Sequence, residues 1–127
     1  SGGCGRLFEG SPAQMLQTLR QIHALAAETW ICCAHEYTQT NLRFALSLPV
    51  PSPAAQAQLA ACEQLRAQGL PTLPSSLAQE RRFNPFLQAL DPVWAQAMAL
   101  HLEPLSGDEA TALSVFTALR TLRNDFS

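Results

Sequence analysis

The sequence has 127 residues, and 47% of them are hydrophobic, which is enough for one domain with an apolar core. The net charge is −2, and the eight basic residues are all arginines scattered along the chain, so neither a nucleic-acid interface nor a polybasic membrane surface is indicated. No apolar run approaches the roughly 20 residues that a membrane span needs, and no targeting segment is recognisable. We therefore expect a cytoplasmic protein, for which small-molecule chemistry stays open.

Residues 1–34 are predicted to form a loop, a helix and a strand. The stretch 1–5 has no initiator Met and reads like the middle of a loop, so we expect the sequence to be a fragment of a longer protein. Ser11 before Pro12, with Gln14 closing a capping box, predicts the start of a helix. The buried stripe of this helix is predicted at Met15, Leu16, Leu19, Ile22 and Ala26. The apolar residues 29–34 then predict a short strand covered on both faces.

The chain contains four cysteines, and two of them, Cys32 and Cys33, are adjacent within this apolar run. Secreted disulfide frameworks are denser and occur in shorter, loop-rich chains. We therefore expect four reduced thiols, with Cys32, Cys33 and Cys62 packed in the interior.

His35 directly follows the predicted strand and begins a polar stretch. The carboxyl ends of strands are where α/β proteins place ligands and catalytic groups, and a neutral imidazole there can bind a metal or act as a general base. A hydrogen-bonded structural histidine is the alternative. A catalytic zinc site needs about three protein ligands, and His23 and His101 lie in helical segments without a ligand partner four residues on, so other ligands would have to come from elsewhere.

Beyond His35 the pattern is mainly helical. Leu42, Ala45 and Leu46 resume a helical period, and the Pro-rich stretch 49–53 is a connector. Helix starts are predicted at Ser52-Pro53, at Asp91-Pro92 and at Asp108, and Gly69 is predicted to end the first of these helices. Their inner faces are predicted at Leu59, Cys62 and Leu65, at Val93, Trp94, Ala97, Met98 and Leu102, and at Ala112, Val115, Phe116, Leu119 and Leu122. Between them, residues 70–90 are punctuated by proline and allow only short helices.

Arg120 and Arg123 are three residues apart on the last predicted helix and therefore share one face. Two guanidiniums in that arrangement can hold a carboxylate. Basic residues near a helix C-terminus are also favoured by the helix dipole, so an exposed basic edge is the alternative. Cys4 lacks a neighbouring histidine or helix N-terminus that would activate it, and we interpret it as a turn residue.

Several strings, in order along almost the whole chain, resemble one family. The two longest are GCGRLFEG at 3–10 and CAHEYT at 33–38, the latter running into NLRFA at 41–45. Further matches are Thr72–Ser75, Glu80-Arg81, Asn84–Leu87 and Leu119–Phe126. The family is glyoxalase II, also called hydroxyacylglutathione hydrolase, of the metallo-β-lactamase superfamily.

The resemblance implies a fold that changes from α/β to mostly α along the chain. Residues 1–48 would be the C-terminal edge of a metallo-β-lactamase αββα sandwich, and residues 49–127 a helical glutathione-binding domain. The change of composition at Pro49 agrees with this boundary.

The resemblance also implies a reaction. His35 would be the terminal histidine ligand of a dinuclear site that contains zinc, or in some members iron or manganese. A hydroxide bridging the two ions would attack the thioester carbonyl of S-(2-hydroxyacyl)glutathione, such as S-lactoylglutathione, and release glutathione and a 2-hydroxy acid in methylglyoxal detoxification.

The substrate-binding residues carried over from the family are Arg6, Tyr37, Phe44, Arg120 and Arg123. Arg6 would bind the glycine end of the peptide, and Tyr37 would hydrogen-bond its backbone. Arg120 and Arg123 would contact the glycine carboxylate, and Phe44 would line the same pocket. Phe8 stands where some members have tyrosine, so that hydroxyl is absent.

The family's remaining metal ligands have no counterpart in this sequence and would precede Ser1. We therefore expect the complete protein to be a monomer that includes a missing N-terminal half, and the present chain to be inactive alone. Two alternatives stay open: another thioesterase of the metallo-β-lactamase fold, or a non-catalytic helical module that binds an acidic partner through Arg120 and Arg123.

Overall fold

The structure is a computed structural model that describes residues 1–102 and 112–127. Helices make up most of these residues, together with one two-stranded sheet. In chain order the elements are α1 (Pro12–His23), β1 (Trp30–Ile31), α2 (Thr38–Ser47), α3 (Pro53–Ala67), β2 (Ser75–Ser76), α4 (Leu77–Phe83), α5 (Pro85–Gln88), α6 (Pro92–Ala99) and α7 (Ala112–Asp125). The predicted mainly helical character of the later part of the chain is confirmed within the described residues, whereas the sandwich edge in residues 1–48 and the domain boundary at Pro49 stay predictions.

The helix starts are fixed by local capping. The Ser11 side chain accepts a hydrogen bond from the Gln14 N–H, and the Gln14 side chain accepts one from the Ser11 N–H, which forms the predicted capping box. Ser52 and Asp91, each followed by proline, cap α3 and α6 by accepting one hydrogen bond from the N–H group two residues further on. These contacts supply partners for the N–H groups that the first turn of a helix leaves unpaired.

Gly69 follows α3 with a φ of +71°, the left-handed conformation that glycine adopts most easily at the end of a helix. The helices predicted from Ser52-Pro53 and Asp91-Pro92 are thus confirmed, as are the short helices within residues 70–90. Asp108, the predicted cap of the last helix, lies outside the described residues.

The main apolar core joins residues from six helices. Its centre is a set of aromatic rings in which Phe86 lies 6.1 Å from Phe44 and 5.9 Å from Phe116, centroid to centroid. Around these rings pack other buried apolar side chains, including Leu16, Leu19, Leu87, Met98, Val115 and Leu119. A second cluster places Leu42, Ala45, Ala55, Leu59, Cys62 and Phe83 between α2, α3 and α4.

The strand predicted over residues 29–34 is much shorter and is not buried. β1 pairs antiparallel with β2, Trp30 opposite Ser76 and Ile31 opposite Ser75, and the Trp30 side chain is 66% exposed. Cys32 and Cys33 are exposed as well, so the predictions of a covered strand and of two buried cysteines are wrong here. Burial of both strand faces needs further layers, and one partner of two residues provides none. The prediction for Cys62 is confirmed, since it is fully buried.

The apolar stripes of the helices are also narrower than predicted. α1 ends at His23, so Ala26 lies beyond it, and Leu102 lies beyond α6. Val93 and Leu122 are 77% and 43% exposed, although their spacing fits the buried faces. Helical spacing gives the direction of a side chain, but burial also requires a neighbouring element on that side. None of the helices in the described part of the chain is both long and apolar enough to cross a bilayer.

Candidate functional site

Arg120 connects helix α7 with the glycine-rich segment that carries Arg6. Its Nη1 donates to the Gly5 carbonyl oxygen at 2.8 Å, and its Nη2 donates to Asn124 Oδ1 at 2.8 Å. The guanidinium also lies 5.3 Å from the centroid of the Phe86 ring. Because Arg120 is 7% exposed, the alternative of an exposed basic edge does not describe it.

Arg123 lies one turn further along α7 and is held by a different set of groups. Its Nε donates to Asn41 Oδ1 at 3.1 Å, its Nη1 donates to the Phe126 carbonyl at 3.3 Å, and its guanidinium lies 6.0 Å from the Phe44 ring centroid. Burial lowers the pKa of Arg123, and the nearby positive charges of Arg120 and Arg6 lower it further. The three arginines are therefore near enough to repel one another.

No carboxylate among the described residues forms an ion pair with this positive cluster. The single ion pair of that part of the chain joins Arg43 to Glu63. Beside the cluster lies an open cavity of about 420 Å³. It is lined by Arg6, Leu7, Phe8, Pro12, Thr117, Arg120, Thr121 and Asn124. Positive charge without an acidic partner among the described residues, next to a cavity with both polar and apolar walls, suits an anionic small molecule.

His35 and Tyr37 form a second group, in the turn between β1 and α2. Both side chains are exposed, and their rings stack with centroids 5.0 Å apart at an interplanar angle of 7°. Glu36, between them, accepts hydrogen bonds from the Thr72 N–H at 3.1 Å and from the Thr72 hydroxyl. Thr72 thereby holds the turn in place, and the imidazole of His35 faces away from the apolar interior.

The electrostatics of this turn agree with that anchoring. Burial acts to raise the pKa of Glu36, but the hydrogen bonds from Thr72 and the positive charges of Arg66 and the N-terminus together outweigh it, so the pKa of this carboxyl lies below its usual value. The folded state therefore favours ionised Glu36.

The described residues do not form a metal site by themselves. No group of three or more His, Cys, Asp or Glu side chains within them is arranged to hold a metal ion, whereas a catalytic zinc site uses about three protein ligands. His35 is accessible and can serve as one ligand.

Phe44 lies deeper than the other predicted site residues. It is 2% exposed, and it packs edge-on against Phe126 at 5.5 Å as well as beneath the Arg123 guanidinium. The structure thus places Arg6, Arg120, Arg123 and Phe44 in one region and His35 with Tyr37 in another.

A buried polar network that sequence reasoning missed holds residues 1–5. Glu80, 2% exposed, accepts hydrogen bonds from Ser1 and Gly2, and Asn41 and Asn84 donate to the carbonyls of Ser1 and Gly3. One signal could have indicated it. Glu80 lies three residues from both Leu77 and Phe83, so the helical period puts a carboxyl group on the buried face of α4.

Comparison with known proteins agrees with these features. Residues 36–126 match the family described as "Hydroxyacylglutathione hydrolase C-terminus". A protein of Hahella chejuensis named hydroxyacylglutathione hydrolase is 46% identical over 127 residues, which are 99% of this chain and 48% of the relative. Proteins of the same name from Shewanella baltica (strain OS185) and Methylobacillus flagellatus are 44% and 46% identical, over 99% and 98% of this chain and 48% and 47% of their own length.

The chain therefore spans about half the length of the curated relatives that it matches. The family match covers far more than half of the chain itself. On these grounds, the chain belongs to the hydroxyacylglutathione hydrolase C-terminus family.

Proposed function

We propose that this chain provides the glutathione-binding part of a hydroxyacylglutathione hydrolase, an enzyme that hydrolyses S-(2-hydroxyacyl)glutathione to glutathione and a 2-hydroxy acid. The observation that carries the proposal is the cluster of Arg6, Arg120 and Arg123, which has no acidic partner in the described part of the chain and borders a cavity of about 420 Å³. Glutathione is a small peptide that carries carboxylates, and guanidiniums recognise carboxylates in a planar, two-bond geometry.

The three arginines have different parts in this proposal. Arg120 and Arg123 already donate hydrogen bonds within the chain. Their main contributions are therefore a positive electrostatic potential at the cavity and contacts that hold the surrounding residues in place. Arg6 is exposed and lines the cavity, and its fork of N–H groups binds the glycine carboxylate directly. Tyr37 hydrogen-bonds the peptide backbone of the ligand, and Phe44 supports Arg123 from the apolar side.

His35 would be one ligand of a pair of divalent metal ions, zinc or else iron or manganese. The other ligands belong to a part of the protein outside the described residues, so we expect the present chain to lack hydrolase activity alone. When bound, the metal pair would supply the Lewis acidity for thioester hydrolysis. The described residues bind the glutathione moiety and orient it. We propose that the complete enzyme acts as a cytoplasmic monomer.

Titration of the 127-residue chain with S-methylglutathione, followed by NMR, tests the proposal. This ligand has no free thiol and therefore forms no disulfide with the four cysteines. We expect saturable binding that Arg6→Ala weakens about tenfold, as for the loss of one charge-assisted hydrogen bond. Arg82→Ala is the matched control, because Arg82 is exposed and lines a different cavity. Absence of binding, or equal weakening by both substitutions, would refute the proposal.

A further inference from the structure

We propose that Glu80 is a positioning residue for the substrate site, acting through the glycine-rich segment that carries Arg6; this inference rests on the proposed function. Glu80 lies on α4 and accepts four hydrogen bonds. Its Oε1 accepts from the Ser1 hydroxyl and from the Ser75 hydroxyl at 2.6 Å. Its Oε2 accepts from the Gly2 N–H at 3.0 Å and from Asn84 Nδ2 at 2.9 Å.

Two of these donors belong to the segment that leads to Arg6. Further along, Asn84 Nδ2 also donates to the Gly3 carbonyl at 2.9 Å, and Arg120 Nη1 donates to the Gly5 carbonyl at 2.8 Å. Arg6 is thus the first residue after a stretch that side chains of the helical part hold almost continuously. Its guanidinium is exposed, so its location depends on that stretch.

The composition of the segment explains why these hydrogen bonds are needed to hold it in one conformation. Gly2 and Gly5 have φ angles of +74° and +81°, which glycine adopts readily and other residues rarely. A Cβ built at Gly3 would lie 2.8 Å from Asn41 Nδ2. Glycines permit this close approach, but they also leave the segment with a large conformational entropy unless side chains fix it. When side chains order the segment before the ligand binds, the binding free energy does not include the entropy cost of ordering it.

All four partners of Glu80 are neutral donors, which predicts how substitutions behave. The Ser1 and Ser75 hydroxyls, which donate to Oε1, can rotate and act as acceptors instead, so the side-chain NH₂ group of a glutamine can take the place of Oε1. The side-chain oxygen of the glutamine then takes the place of Oε2 and still accepts from Gly2 and Asn84. Glu80→Gln should therefore preserve the hydrogen bonds that hold the segment. Glu80→Ala leaves several buried polar groups without a partner and releases the segment.

A double-mutant cycle between Glu80 and Arg6 tests the inference. The dissociation constant of S-methylglutathione is measured for the wild-type chain, Glu80→Ala, Arg6→Ala and the double variant, with thermal unfolding of each to establish that it is folded. We expect Glu80→Ala to weaken binding about tenfold when Arg6 is present and to have no further effect when Arg6 is absent. Glu80→Gln should restore wild-type affinity.

A merely structural role of Glu80 would lower the unfolding temperature but give additive effects on affinity. If the wild-type chain binds S-methylglutathione and the effects of the two substitutions on affinity are additive, the inference is overturned and the proposed function still stands. Absence of binding by the wild-type chain overturns both. If Glu80→Ala fails to fold, the cycle is repeated with Gly3→Ala, which tests whether the placement of the segment controls Arg6, because a Cβ there would lie 2.8 Å from Asn41 Nδ2 and the segment or the Asn41 side chain must shift; additive effects on affinity would again overturn the inference.

Discussion

The guanidinium of Arg120 lies over the ring of Phe86, 5.3 Å from its centroid, while it donates a hydrogen bond to the segment that carries Arg6. Phe86 itself packs against Phe44 and Phe116 in the core. The aromatic core and the candidate site are therefore in direct contact, and changes to one should be measurable in the other.

Replacing Phe86 by alanine should lower the free energy of unfolding by about 3–5 kcal/mol, because the side chain is fully buried and the change leaves a cavity. Phe86→Leu keeps most of the apolar volume but removes the ring face beneath Arg120, so it should weaken S-methylglutathione binding with a smaller loss of stability. Urea denaturation gives the first quantity and NMR titration the second. Phe8→Ala is the control for stability only, since Phe8 lines the cavity: it is 87% exposed, and a stability change above about 0.5 kcal/mol there would contradict this account.

Glu36 should make stability depend on pH. Its pKa is lowered in the folded state: burial acts to raise it, but the Thr72 hydrogen bonds together with the positive charges of Arg66 and the N-terminus outweigh burial. A carboxyl group whose pKa is lowered by folding stabilises the fold at pH values above its unfolded-state pKa. This contribution to the free energy of unfolding is lost as the pH falls through its folded-state pKa. The difference in unfolding free energy between wild type and Glu36→Gln should therefore shrink as the pH falls from about 5 through the folded-state pKa. Glu28→Gln serves as an exposed control, and a constant difference across this range would contradict the assignment.

The four cysteines should react with a disulfide reagent in two classes. Cys32 and Cys33 are exposed and Cys62 is buried. Burial raises the pKa of Cys4 more than the hydrogen bond and charge of Arg120 lower it, so this thiol should be a poor nucleophile near neutral pH. We expect two fast and two slow thiols, with the fast phase removed by the Cys32→Ser/Cys33→Ser double variant. Four equal rates would contradict the structure.

The purified 127-residue chain should contain fewer than two zinc ions per molecule and should not hydrolyse S-lactoylglutathione. The physical reason is the ligand count, since His35 is the candidate ligand and no three-residue cluster accompanies it in residues 1–102 and 112–127. Elemental analysis together with native mass spectrometry measures metal per monomer. Two tightly bound zinc ions in a monomeric, active sample would exclude our interpretation.

The sequence was most informative where structure depends on near neighbours. The helix starts at Ser11, Ser52 and Asp91 follow from capping contacts that span two or three residues, and these were predicted correctly. The strand after residue 29 was not, because the extent of a strand depends on which partners lie beside it. The exposure of Cys32 and Cys33 follows from the same cause.

The candidate site illustrates the same limit. The resemblance supplied the residues Arg6, Arg120 and Arg123, but spacing could not bring Arg6 beside the other two. The network around Glu80 joins residues 78 and 79 positions apart. Such contacts leave no period in the sequence, and only the unusual placement of a carboxyl group on an apolar helix face indicates them.

The hydrogen bond from Arg120 to Gly5 joins positions 115 residues apart, and this separation determines when the anion site can form during synthesis. A ribosome delivers the segment that carries Arg6 long before it delivers α7, so the Gly5 end of the segment lacks this contact until the last helix emerges and docks. A premature stop before Arg120 would therefore yield a product that keeps Arg6 and the contacts of Glu80 and Asn84 with Gly2 and Gly3 but lacks the contact that holds the segment at Gly5.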